Sequence, residues 1–249
     1  MTFRTILVMT ALIASQPVLA QDGGNGISFH FGLGPESSPE YFGSDDNELG
    51  VTGSFKLERL QFGGLSLGGE DRTGFGFGGS VRFISERSAD DYAELTGLED
   101  IDPSLELGGG LRFAQPGYKL FADVRYGVVG HESLVAEIGG DIIYRPTDQI
   151  TIAAGPRVLW GSDDYAQTYF GVSDVEAGAS AFDAYDAGSG IISQGLKAEA
   201  TYQINDDWGL IGTVQYDQLR DDAANSPITQ SEDQVTGSIV LTRRVTFGF

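Results

Sequence analysis

Two histidines, His30 and His131, are the side chains in this sequence whose ordinary pKa lies near neutrality, so they are the natural place to look for acid-base chemistry. Hydrolysis would need a nucleophile, a base and a group that orients the base. Ser28 lies two places before His30 on one alternating segment, and no third partner is placed beside them by the sequence. His131 falls in the tight connection "VVGHES", residues 128–133. The expectation is therefore a lumen hydrogen bond for His30 and no catalysis. Two acidic pairs, Asp45-Asp46 and Asp163-Asp164, each follow a serine and could gather a divalent cation. Neither has the alternating oxygen spacing of a calcium loop, so solvated loop acids are expected. The glycine-rich "GSVRF" (79–83) and "GGGLRF" (108–113) lead into no helix, and so offer no helix N-terminus to a phosphate. No cofactor and no metal site is expected.

A second set of charged residues is positioned more regularly. Glu106, Arg112, Lys119, Asp123, Arg125, Glu137, Asp141, Arg145, Arg157, Lys197 and Glu199 alternate with apolar residues along successive segments. In 118–126, for example, Tyr118, Leu120, Ala122, Val124 and Tyr126 share one face and the charges the other. The period of two is that of a strand. Similar segments lie at 27–33, 49–57, 60–68, 75–83, 105–113, 134–145, 150–160, 196–204 and 208–217, with a last one ending at Phe249. Turn formers in "AQPG" (114–117), "PTDQ" (146–149) and "NDD" (205–207) make several of them hairpins.

The other connections, 35–47, 86–103, 161–190 and 220–233, are longer and rich in Asp, Ser, Gly and Tyr. Short turns alternating with long acidic loops are the layout of an antiparallel transmembrane β-barrel, with turns in the periplasm and loops outside. A soluble sandwich or lipocalin-like barrel also alternates. Its core gives no reason to put large rings at strand ends and small residues mid-strand, whereas a bilayer does. Here Phe113, Tyr118, Tyr144, Trp160, Tyr202 and Trp208 stand at segment ends. Twelve strands are expected, with ten as the fallback, because bacterial barrels of one chain have even counts.

The charged set then faces a lumen, where opposite signs can pair. In the long loop, Tyr165, Tyr169, Phe170, Phe182 and Tyr185 stand where water should be. They are expected to fold over the barrel mouth as a plug, or to present a contact surface. In the closing strand Ile239, Leu241, Val245, Phe247 and Phe249 are expected on the lipid face. Arg243 falls on that face too, and is expected near an edge, in a bulge or snorkelling.

Residues 1–20, "MTFRTILVMTALIASQPVLA", read as a secretory signal peptide and 21–249 as one barrel domain. The apolar run is too short to cross a bilayer. A formal net charge of −21 excludes nucleic acid as a partner and favours cations or basic surfaces. Cysteine is absent, so disulfides do not hold the fold.

Several stretches resemble the MipA/OmpV family of Gram-negative outer-membrane proteins: "PEYFGSDDN" (39–47), "LTGLEDID" (95–102), "DVRYGVVGHESLVAEIGGDIIYRP" (123–146), "QTYFGVS" (167–173), "AYDAGSGI" (184–191) and "DDAANSPI" (221–228). The resemblance implies an outer-membrane barrel without enzymatic activity, in contact with lipid and lipopolysaccharide. It implies a scaffold joining a murein transglycosylase to a peptidoglycan synthase. A narrow pore for small solutes and a surface adhesin are the alternatives. One departure is "ELGVTGSF" (48–55), where similar proteins often carry a proline, which leaves the pairing of the first two strands open.

Overall fold

A strand turns sequence alternation into two faces, and a closed sheet turns two faces into an inside and an outside. A computed structural model describes residues 25–63, 65–68 and 73–249. The signal-peptide segment therefore lies outside the described residues. Among these are eleven strands: β1 (Gly26–Pro39), β2 (Asn47–Phe62), β3 (Leu65–Gly68), β4 (Gly74–Ile84), β5 (Ser104–Gln115), β6 (Tyr118–Val129), β7 (Leu134–Thr147), β8 (Ile150–Gly161), β9 (Gly190–Gln203), β10 (Trp208–Leu219) and β11 (Asp233–Gly248). All pairings are antiparallel, in the order β3-β2-β1-β11-β10-β9-β8-β7-β6-β5-β4. β1 and β11 pair, Gly26 opposite Gly248 and Leu33 opposite Leu241, as the first and last strands of an outer-membrane-type barrel do, and β3 and β4 stand at the two edges of the order among the described residues.

The count falls between the ten and twelve expected, as ten long strands and one of four residues. The sequence segments 49–57 and 60–68 divide differently in the structure, because β2 runs unbroken to Phe62. A bulge opposite Ser28 and Phe29 absorbs the phase change between them, which a strict period-two reading registers as a break. β1 and β2 pair along their whole length, from Gly26 opposite Gln61 to Pro39 opposite Asn47. The missing proline in 48–55 leaves that ladder intact.

The faces are inverted relative to a soluble protein. Leu196, Ile142, Phe77 and Leu120 stand on the outside, while Glu106, Asp123, Arg125, Asp141 and Arg157 are buried inside. Water would not tolerate that outer surface, but hydrocarbon does. Residues 116–117, 148–149 and 204–207 turn tightly at the end that carries Phe249; the loops 40–46, 85–103, 162–189 and 220–232 gather at the other.

Those loops hold three short α-helices, α1 (Asp163–Phe170), α2 (Asp174–Ala179) and α3 (Asp221–Asn225), and a single 3-10 turn at Ala93–Leu95. The stretch 161–190, expected as a long loop, contains α1 and α2. Ser173 begins α2 with a capping box, its hydroxyl accepting from Glu176 N at 3.2 Å while the Glu176 carboxylate accepts from Ser173 N at 2.8 Å.

β8 carries a proline in mid-strand. Pro156 in β8 has no N–H, and the β7–β8 pairing skips from Gly139–Arg157 to Ile142–Ala154. Arg157 compensates from the lumen, its Nη1 donating to the carbonyls of Gly140 at 3.1 Å and Pro156 at 2.9 Å.

Candidate functional site

The candidate site is the lumen and the mouth above it. Glu106 on β5 has 0 % exposure and receives three partners. Arg82 of β4 donates to it through Nε at 2.9 Å and Nη2 at 2.5 Å, Arg125 of β6 through Nε at 2.9 Å, and His131 Nε2 lies 3.2 Å away. Arg125 continues the chain to Glu137 at 2.9 Å and to Ser80 Oγ at 3.1 Å. A buried charge is tolerated only when surrounded in this way.

Deeper, Arg112 grips Asp123 with two donors, and Asp141 sits between Arg157 at 2.6 Å and Lys119 at 3.1 Å. The guanidinium groups of Arg112 and Arg157 stack over the Phe121 ring, 5.4 and 5.0 Å from its centroid. Lys197 and Glu199 pair with each other at 3.3 Å and are more exposed. Arg145 is not brought to the others. It is exposed at the turn end, where it donates to the Pro116 carbonyl at 2.7 Å.

The loop aromatics assemble at the mouth. Tyr165, Tyr169 and Phe170 all project from α1 into a buried cluster with Ile101, Val135, Leu159, Ile192 and Leu219. Tyr165 Oη accepts from Arg82 Nη2 at 2.9 Å, which ties the helix to the charged network. Tyr169 Oη donates to Ser104 Oγ at 3.2 Å, and Ser226 Oγ donates to the Phe170 carbonyl at 2.6 Å. Burial pushes the phenols of Tyr165 and Tyr169 upward, so both stay neutral. Phe182 and Tyr185 are half-buried in a neighbouring cluster around Tyr41, Leu95, Leu98, Val172 and Ile228.

Sequence reading missed Arg82, His131 and Ser133 as members of this site. Arg82 was legible, since it alternates with Phe83 and Val81. His131 was not, because its burial depends on the 130–133 connection folding inward. There Gly130 has φ +86°, and a Cβ on it would come within 2.0 Å of Ser104 Oγ. His131 Nδ1 meets Ser133 Oγ at 2.6 Å. His30 Nε2 lies 3.5 Å from Glu58, which Arg244 holds at 2.6 Å, and Ser28 Oγ bonds Thr246 Oγ1 at 3.0 Å. Ser28 and His30 thus have separate partners. Asp163 accepts from Ser189 N at 2.6 Å, while Asp45 and Asp46 are exposed.

Outside, Ile239, Leu241, Phe247 and Phe249 are exposed and Val245 half-buried. Arg243 lies over Trp208 at 5.3 Å, near the turn end of the barrel.

Comparison with known proteins adds the lineage. The family model described as MltA-interacting protein MipA matches residues 31–245. The chain belongs to the MipA family. A MipA relative, the outer membrane protein Omp26La of Vibrio anguillarum, is 43% identical over 77 residues, which are 31% of this chain and 29% of that protein. The MltA-interacting protein of Escherichia coli (strain K12) is 32% identical over 87 residues, 34% of this chain and 35% of that protein. The matched stretch thus spans about a third of the curated MipA relatives.

Among solved structures, the CymD monoaromatic hydrocarbon channel is similar at TM-score 0.39 and 10% identity, over 91% of this chain and 88% of that one. The translocator domain of autotransporter NalP from Neisseria meningitidis is similar at TM-score 0.37 and 11% identity, over 90% of each chain. A MipA chain with this inverted barrel resides in the outer membrane.

Proposed function

We propose that this protein is a non-enzymatic outer-membrane anchor whose periplasmic rim holds a murein transglycosylase, and with it a peptidoglycan synthase, beside the membrane. The observation that carries the reading is the bracing of the barrel. Ion pairs lock the neighbouring strands β4 to β8 to one another along the lumen wall and α1 packs at the mouth, so the barrel is built more as a rigid post than as a conduit. The name of the Escherichia coli relative, MltA-interacting protein, supplies the class of partner. The buried histidine points the same way, since His131 and Ser133 lie under the rings of Tyr165 and Tyr169, where a substrate has no approach.

The test is affinity purification of the tagged protein from detergent extracts of its own cells. A murein transglycosylase should co-purify, and exchanging the rim turn 205–207 for glycines should weaken its recovery severalfold. Recovery of no murein enzyme under mild extraction overturns the scaffold reading. A narrow pore is the second reading, favoured by a lumen cavity of about 600 Å³.

A further inference from the structure

Nearly every charge that β4 to β9 turn into the lumen has an oppositely charged partner. Arg87 and Asp217, which line the same cavity, have none within salt-bridge distance among the described residues. Arg87, just beyond β4, is 6 % exposed, and its side chain has one hydrogen-bond partner among the described residues, the neutral carbonyl of Tyr169 at 3.1 Å. The acids closest to it electrostatically are committed elsewhere. Asp100 accepts from Ala89 N at 2.8 Å, and Glu176 accepts from Glu99 N at 3.0 Å and from Ser173. Burial accordingly pushes the Arg87 guanidinium downward, the direction expected of a cation without a counter-ion.

Asp217 on β10 lines the cavity from another wall. Its carboxylate accepts from Gln215 Nε2 at 2.6 Å and has no cation within salt-bridge distance among the described residues. Glu36 and Glu40 line the cavity as well. Glu40 is held above the usual carboxylate range by partial burial and then by Asp46, Glu94, Glu48 and Asp45, so this side of the mouth is strongly negative.

A buried guanidinium calls for a carboxylate or phosphate, and the negative wall repels a simple anion. A molecule carrying both signs matches a cavity lined by both groups. We propose that the cavity is a binding site for a small zwitterion of the amino-acid or short-peptide class, its carboxylate on Arg87 and its ammonium on Asp217. At about 600 Å³ the cavity has room for such a ligand. The site is independent of the anchoring role, because it faces the outside and the proposed rim faces the periplasm.

The experiment is calorimetry of the full-length protein in detergent micelles, with L-alanyl-L-alanine, acetate and methylammonium as probes. The dipeptide should bind at least tenfold more tightly than either half-probe. Arg87→Gln and Asp217→Asn should each weaken it about tenfold, a charge-assisted hydrogen bond being worth roughly that factor. Arg87→Gln could also loosen the mouth, so the folded gel mobility of each variant is checked. Asp217→Asn decides the matter independently. Undetectable dipeptide binding to the wild type, equal affinity for acetate, or unchanged affinity in Asp217→Asn each overturns the proposal.

Discussion

Arg125 links two carboxylates, and its neighbours show how little slack that position has. Glu106, at 0 % exposure, depends on Arg82, His131 and Arg125, while among the described residues Glu137 has as its other cation the more distant Arg157, at 4.0 Å. Arg125→Ala should destabilise the protein by about 3 kcal/mol, because removing one partner of a buried pair strands the other charge. Lys197→Ala should cost less than about 1 kcal/mol, since that pair is partly exposed and screened. Urea midpoints in micelles check both. Equal effects would mean that burial does not control these pairs. The side on which each of these residues stands was legible from alternation alone. Its partner was not, because pairing across strands depends on register, and register shifts at bulges such as that beside Leu105 and Glu106.

At the scale of elements, the mouth and the wall are held by different forces. The wall is a ladder of backbone hydrogen bonds, whereas the mouth depends on aromatic burial and tyrosine hydroxyls. Burial is the main cause that pushes Tyr41 and Tyr92 up to about 12. The folded state therefore favours the neutral phenol more than the unfolded chain does, whose tyrosines titrate near 10. This contribution is complete below about pH 10 and is lost as pH rises through about 12. Difference titration against Tyr41→Phe should show its phenolate forming near 12, with the mouth loosening over that window. A phenolate formed near 10 would contradict the packing described. The helices of this layer were only partly legible. "SDVE" at 173–176 is a capping box, yet "SDDYAQTYF" at 162–170 could equally be read as acidic loop. Its four buried residues, Tyr165, Ala166, Tyr169 and Phe170, fit one helix face, but this becomes evident only once the barrel supplies a surface beneath.

For the whole molecule, the inversion of polar and apolar faces follows from choosing hydrocarbon as the outer solvent. That choice was written in the chain by the rings at strand ends; beside β11 the Phe249 ring lies 6.1 Å from that of Phe62. Arg243 shows the same logic under strain. A cation on the lipid face is tolerated where Trp208 covers it at the interface. The strand count was less legible, because β3 is too short to register a period of its own. The central claim is that α1 at the mouth and the ion pairs along the wall brace the barrel and make it an anchor. Planar-bilayer recording of the purified wild-type protein tests it most directly. The account predicts no step conductance at neutral pH, and regular steps from the wild type, of the same size as those from a variant lacking residues 163–189, would contradict it.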